Sequence, residues 1–476
     1  MFKKVRALMA ALLLLSLPLA ASAADPFYNF VATSQGRVSI PLCYSTEQMM
    51  KAFGEDNSTI NSAADLFVDS HDNLYILDSG NSRVLKYRLE DGQTIYDRTY
   101  SLTGEIQTKN PNGIFVDDDG DLYIADTDNN RVLHIGENGQ FVEQFVQPDS
   151  DLYDDSIAFR PYKVGIDSLG QVYILNYQDD NGFIILDAYN QFKGYTASNA
   201  VAADTLVDKF IEMFATEEQK EKLGKKNRPM HSNFTFASDN TFYVTTASAS
   251  SAQLKKFSSV GVNIYPKTDD FSVKARGDNS EEACSFVDVC VDEDGNASIL
   301  DKTTGYITQY SADGIMLAVF GGKGDCAGRF MNPVAMAQDS TGRIYVLDQD
   351  TSTVQVLKPT GFIEKIHEAL KLYNDGRYEE SLEPWAEVLK IADVYPVANI
   401  GIGKAYMKQE QWSDAMAAYR KNRSADLYSE AFDQMRLEVI RDYFGWVVLA
   451  IVAAVVLVVL LVYKLHKYAI KIGGGR

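Results

Sequence analysis

Two acidic patterns invite a chemical reading. Asp117-Asp118-Asp119-Gly120-Asp121 spaces its carboxylates like the first half of a calcium loop, and oxygen donors are what a hard cation needs. An EF-hand then places a bidentate Glu at its twelfth position, where this chain has Asp128. The run therefore reads as a turn, in which short Asp side chains bond the backbone. The second pattern is Asp-x-x-Asn-x-Arg, found as Asp78, Asn81 and Arg83 and again as Asp126, Asn129 and Arg131. A carboxylate, an amide and a guanidinium make a sugar-binding set. Their recurrence at one strand-turn-strand assigns them to the turn itself.

Histidine chemistry is thin. His71 falls in a hairpin turn, and His134 falls in a third strand, away from any central channel. Only His231, in RPMHSN, is placed to line a channel mouth, and a zinc site needs three or four ligands. No G-x-S-x-G, H-E-x-x-H or C-x-x-C motif is present. GGKGDCAGRF at 321–330 has the glycines of a phosphate loop without its spacing, and reads as a flexible connection. No catalytic residue, metal ligand or cofactor is assigned on these grounds. Cys43, Cys284, Cys290 and Cys326 allow three pairings, and free buried thiols are an equal reading. Cys284 and Cys290 lie too far apart in one extended stretch to pair with each other.

The elements that must carry these residues are repeated. FVDSHDNLYILDSGNSRVLKY at 67–87, VDDDGDLYIADTDNNRVLHI at 116–135 and AQDSTGRIYVLDQDTSTVQVL at 337–357 are copies of one strand-turn-strand unit. Aligned on the central residue, six copies centre on Tyr75, Tyr123, Tyr173, Tyr243, Ser298 and Tyr345, at separations of 48, 50, 70, 55 and 47 residues. A period of roughly 40–50 residues made of strand and turn predicts a propeller blade. Six blades can close into a ring. The last copy runs out of chain after its third strand, and FYNFVAT at 27–33 is expected to supply the outer strand of that blade.

NPNGIFVDDDGDLYIADTDNNRV at 110–132 resembles the NHL repeat, most clearly in blades 1, 2 and 6. Blades 3, 4 and 5 depart from it, with Asn176 and Thr246 where the usual Asp would stand. The resemblance implies an all-β six-bladed propeller over 24–360. Enzymes on such rings, lactonases and lyases, hold a metal in the central channel with carboxylates, Asn or His from several blades.

The longest interval contains a helical insertion at 203–227. There Leu206, Phe210, Met213 and Phe214 share a helical face, followed by Lys225, Lys226 and Arg228. The apolar face is expected to pack on the ring and the remainder to dock a partner. Within 361–442 the residue types shift to helix formers. Tyr378 and Trp412, Ser381 and Ala415, and Trp385 and Tyr419 are each 34 residues apart, a spacing that resembles the tetratricopeptide repeat.

The ends carry the location. Residues 1–23 read as a secretory signal peptide, with Lys3, Lys4 and Arg6 before an apolar run and Ala21-Ser22-Ala23 as its cleavage site. The 443–463 segment reads as a single transmembrane helix, and its uncharged stretch of 20 residues is about 30 Å long. Lys464, Lys467, Lys471 and Arg476 mark 464–476 as a cytoplasmic tail, which leaves the larger part of the chain outside. Without the seven basic residues of leader and tail, 38 basic residues face 65 acidic ones. Such a surface repels nucleic acid.

What remains for function is a face. Asn110, Asn112, Arg160, Tyr162, Arg228, His231 and Asn332 lie in loops entering the blades, which share one side of a propeller. The docking element adds Phe210, Met213, Phe214, Lys225 and Lys226. A propeller followed by tetratricopeptide-like repeats and an anchor resembles Gram-positive extracytoplasmic proteins encoded beside ABC transporters. It implies an accessory subunit that meets a permease or a substrate-binding protein. The alternatives are a carbohydrate- or wall-glycan-binding receptor, and a calcium- or zinc-dependent lactonase or lyase.

Overall fold

The computed structural model describes residues 29–33, 36–90, 92–199, 229–247, 253–265 and 284–473. Contact clustering divides the chain into two units, Met1–His367 and Glu368–Arg476.

The first unit is a six-bladed β-propeller. Blade 1 runs Asp65–Val68, Leu74–Asp78, Arg83–Glu90 and Gln93–Ser101 from the axis outward, each strand antiparallel to the last. Blades 2 and 3 repeat this order from Pro111–Val116 and Pro161–Ile166. Blade 4 has three described strands starting at Asn233–Phe236, and blades 5 and 6 start at Phe286–Val291 and Pro333–Gln338. The second strand is buried along its whole length in every blade, as in LYILD and IYVLD. It packs on a neighbouring blade through either face, so its sequence is a continuous apolar run rather than an alternating one. Apolar clusters lie between blades, for example Leu74, Ile76 and Leu85 against Ala335, Tyr345 and Leu347. A blade thus cannot bury its faces alone.

Ring closure follows the expected principle with a different segment. Tyr44–Met50 pairs with Thr353–Pro359 and completes blade 6. The stretch assigned that role pairs elsewhere: Asn29–Thr33 forms a hairpin with Gly36–Ile40 and meets the outer edge of blade 5 at Phe30 and Val319. Phe30 is fully buried there, edge-on to Tyr306 at 5.6 Å. The true closing strand was hidden by polar residues, and its Glu47 pairs with Arg343 on the adjacent strand system at 2.8 Å.

Turn chemistry repeats around the ring. Asp69 Oδ1 accepts the His71 and Asn73 N–H groups, and Asp117, Asp167, Asp292 and Asp339 do the same two and four residues on. The hydroxyls of the central Tyr75 and Tyr345 donate to Asp69 and Asp339. The acidic run at 117–121 is therefore a turn, as its composition suggested.

The second unit is helical. Helix α1 (Gly361–Asn374) begins before the division, and α2 (Leu382–Ile391), α3 (Pro396–Lys408), α4 (Trp412–Lys421) and α5 (Ala425–Gly473) follow. Trp385 of α2 is fully buried against Gly401 of α3, where an added Cβ would fall 2.4 Å from the indole. Ala415 and Tyr419 of α4 pack with Ala431 of α5, and the Trp412 indole N–H donates to Glu438 at 2.6 Å. Helix α5 has 49 residues, about 73 Å at helical rise, and it is the one described helix long and apolar enough to cross a membrane.

Candidate functional site

The inner strands bring six residues to one level of the channel. Asp65, Gly113, Lys163, Asn233, Asp288 and Ala335 each stand ten residues before the aligned centre of their blade. They also pair with equivalent second-strand residues: Leu77, Ala125, Leu175, Thr245, Leu300 and Leu347. Charges occupy blades 1, 3 and 5. Small or neutral residues occupy blades 2, 4 and 6. Asp65, Lys163, Asn233 and Asp288 line a channel cavity of about 240 Å³, with Phe67, Phe115, Thr235 and Cys290 among its other walls.

The charged level is closed on itself. Lys163 Nζ lies 2.7 Å from Asp65 Oδ1, and both side chains are buried. Asp65 Oδ2 also accepts the Ile114 N–H at 3.0 Å. Asp288 Oδ2 accepts the Met336 N–H at 2.6 Å, while its Oδ1 accepts the Val289 N–H and the Asn233 amide. Burial works against the charge of Lys163, but Asp65 and Asp288 outweigh it and raise its pKa above the ordinary lysine value. Burial pushes Asp288 up to about 7, with Lys163 opposing and Asp65 adding to the rise. Two carboxylates and an amide would suit a hard cation, yet an ammonium already sits on one of them. The channel as built does not fit a divalent metal.

This layer was missed in the sequence, although it left a signal. Lys163 in PYKVGI and Asp288 in FVDVCV are charges inside otherwise buried strands, at one register. Charges in such strands are costly unless paired, so two or more at equivalent positions announce a partner across the ring.

The loops entering the blades share a recurring anchor. The residue ending the second strand accepts a backbone N–H from the loop that enters its own blade. Asp78 takes it from Asn61, Asp126 from Lys109, Asn176 from Arg160, Asp301 from Ser285 and Asp348 from Asn332. In blade 2, Asp126 Oδ2 also holds Asn129 at 2.9 Å and Arg131 at 2.9 Å; Asp78 holds Asn81 and Arg83 likewise. The Asp-x-x-Asn-x-Arg pattern is structural, as read.

Among the residues singled out on this face, Asn112, Arg160 and Tyr162 come together. Arg160 bonds Asp128 at 2.7 Å and lies over the Tyr177 ring at 4.9 Å. Tyr162 is tilted against Tyr177 at 6.2 Å, and Asn112 donates to Thr127, whose hydroxyl reaches the Pro161 carbonyl. Tyr177 and Asp128 complete this cluster. Asn110 is an exposed turn residue at φ 51° that offers its carbonyl to Asn112. Asn332 lies apart in blade 6, bonded to Asp350 at 2.8 Å.

His231 requires correction. It is buried in blade 4 rather than set at a mouth, between Phe183 and Phe257, with Nε2 2.7 Å from the Ala197 carbonyl. Burial lowers its pKa to about 4. Its role is packing. Phe210, Met213, Phe214, Lys225, Lys226 and Arg228 lie outside the described residues.

Other expectations resolve similarly. His71 is exposed in its turn and His134 lies in a third strand, as read. His134 stacks on Tyr123 and bonds Asp121 at 3.0 Å and Glu143 at 3.1 Å. With Asp117 and Asp121 it forms, among the described residues, a trio of ligand atoms within 4.8 Å of one another. Those atoms already serve the turn. No disulfide joins the four cysteines, three of which are buried. The glycine-rich connection is fastened rather than flexible, since Lys323 Nζ donates to the Lys302 and Met331 carbonyls at 2.8 and 2.7 Å.

Comparison with known proteins gives one family match. Residues 52–159 match the model of the SMP-30/Gluconolactonase/LRE-like region. No curated protein matches the chain. Similar solved structures include virginiamycin B lyase from Staphylococcus aureus, at 10% identity and TM-score 0.39, covering 70% of this chain and 99% of that one. A gluconolactonase from Xanthomonas campestris stands at 12% identity and TM-score 0.41, with coverages of 70% and 97%. A protein of unknown function from Bacteroides thetaiotaomicron stands at 13% and 0.44, with coverages of 68% and 79%.

Proposed function

We propose that this chain is a membrane-anchored extracytoplasmic binding scaffold and an accessory subunit of an ABC transporter. Its propeller offers a face to a permease, a substrate-binding protein or a small ligand. One observation carries the reading: Lys163 and Asp65 of the channel are consumed by one another, while Arg160, Asp128, Tyr162 and Tyr177 form a cluster with Tyr177 42% exposed. An aromatic platform beside a guanidinium suits recognition by stacking and hydrogen bonding. In this reading 361–442 acts as a tetratricopeptide-like spacer, 443–463 spans the membrane, and the basic tail lies in the cytoplasm. Purification of the tagged full-length protein from its native membrane, with mass spectrometry of what accompanies it, tests the reading. Permease and ATPase subunits in stoichiometric amounts are expected. Glycan fragments alone would support a cell-surface receptor instead.

A second reading, a metal-dependent lactonase or lyase, is favoured by the family model over residues 52–159. It needs a bound calcium or zinc ion, and elemental analysis of the purified protein decides it. Stoichiometric metal together with lactone- or lyase-type turnover, both lost in an Asp121→Asn variant, would support this second reading.

A further inference from the structure

The channel level of this propeller has two carboxylates of the kind that hold a cation and a lysine paired with one of them. Asp65, Asn233 and Asp288 stand on three paired inner strands and line one channel cavity. Carboxylate and amide oxygens on fixed elements are what calcium or manganese binds. Each carboxylate is held from behind by the following blade. Asp65 Oδ2 takes the N–H of Ile114, past Gly113, and Asp288 Oδ2 takes the N–H of Met336, past Ala335. The same device is used twice, and small residues in blades 2 and 6 make room for it. The two carboxylates are thus positioned by backbone, independently of any cation.

Lys163 enters this arrangement from blade 3. Its stem crosses Gly113 and brings Nζ to 2.7 Å from Asp65 Oδ1. Asn233 turns its amide nitrogen, not its oxygen, toward Asp288. Both choices suit a layer whose positive charge is already supplied by an ammonium.

We propose that this channel carries a built-in cation: the Lys163 ammonium, seated on Asp65 in the cavity that Asp288 also lines, supplies the positive charge that a divalent ion would bring, and its removal converts the channel into a divalent-cation site. The charges agree with the exchange. One ammonium leaves the two carboxylates one positive charge short, whereas a divalent ion balances them. Shortening Lys163 to Ala also vacates the volume of its stem, leaving two pre-positioned carboxylates on the channel cavity. A buried, uncompensated pair of carboxylates is the strongest driving force a protein can offer a cation. The wild-type channel, in contrast, is indifferent to metal and to chelators.

The test is a Mn²⁺ titration of the full-length protein in detergent, followed by thermal unfolding in Mn²⁺ and in EDTA. Wild type and Lys163→Ala are compared directly, so any binding at Asp117, Asp121 and His134 cancels. Lys163→Ala is expected to gain one Mn²⁺ per chain, bound roughly 100-fold more tightly than anything wild type takes up in the channel. Its unfolding temperature should fall in EDTA and recover with Mn²⁺. Adding Asp65→Asn to Lys163→Ala should remove the gained site. If Lys163→Ala does not fold without metal, Mn²⁺ present during refolding should restore it, and the double variant should fold without Mn²⁺. Two results would overturn the proposal. One is no additional Mn²⁺ in folded or refolded Lys163→Ala. The other is a wild-type Mn²⁺ site that Asp65→Asn abolishes.

Discussion

Gly113 of blade 2 lies against the backbone of Lys163 in blade 3. A Cβ added at 113 would stand 2.7 Å from the Tyr162 carbonyl oxygen and 2.9 Å from the Lys163 Cα, and 3.2 Å from its Cδ. Two of these neighbours are backbone atoms of a paired inner strand, so they have little room to yield. Gly113→Ala should destabilise the propeller by about 1–3 kcal/mol through overpacking. Chemical denaturation followed by tryptophan-independent circular dichroism measures it. Wild-type stability in that variant would show that the passage is looser than described.

Blade 3 replaces the buried Asp of its neighbours with Asn176, which uses both ends of its amide. Its oxygen accepts the Arg160 N–H, and its nitrogen donates to the Ala158 carbonyl and reaches Asp179. In blade 2 the equivalent Asp126 is matched by Arg131, with no such arginine in the blade 3 turn. Asn176→Asp should therefore place a buried charge beside Asp179 without a cation, at a cost of about 3–5 kcal/mol. The converse change, Asp126→Asn, should cost less, because an amide still offers an oxygen to Lys109. Comparing the two denaturation midpoints checks the pairing of Asp with Arg. Equal costs would contradict it.

The ring was legible because its repeat is periodic and its apolar second strands are uninterrupted. The turn role of Asp69, Asp117 and Asp339 was legible too, since their spacing to the following residues is local. The closing strand was not, because Tyr44–Met50 gains its pairing from Thr353–Pro359, roughly 300 residues away, and its own alternation is weak. His231 misled for a related reason. Its loop position suggested a mouth, whereas Phe183 and Phe257 enclose it from two other strands. The Lys163 layer lay at a constant offset from the aligned centres, but only the ring brings blades 1, 3 and 5 to face one another.

His231 gives a pH dependence of definite sign. Its folded pKa is lowered from 6.5 to about 4 by burial, with Lys255 nearby also opposing its charge. The unfolded chain therefore binds a proton that the folded chain does not between those values. Stability from this group is complete above about pH 6.5 and is lost as the pH falls toward 4, by up to about 3 kcal/mol. The stability gap between wild type and His231→Gln should thus narrow as the pH is lowered through that window. Asp288, raised to about 7, acts in the opposite sense in both proteins and cancels in the difference. A gap that stays constant from pH 7 to 4 would mean that His231 is protonated in the fold.

The cluster at Arg160 bears on binding and only slightly on folding. Its ion pair with Asp128 is partly solvated, with side chains 36% and 29% exposed, so its loss should cost about 1 kcal/mol or less. Arg160→Ala and Tyr177→Ala should leave the unfolding temperature within a few degrees of wild type. A large drop in either would make the cluster structural.

The most direct test is a side-by-side purification of wild type and the Arg160→Ala/Tyr177→Ala double variant from native membranes in mild detergent. The account predicts that wild type brings permease and ATPase subunits in stoichiometric amounts and that the folded double variant recovers them several-fold less. Wild type recovered alone, or a double variant that retains its full complement of partners, would contradict it.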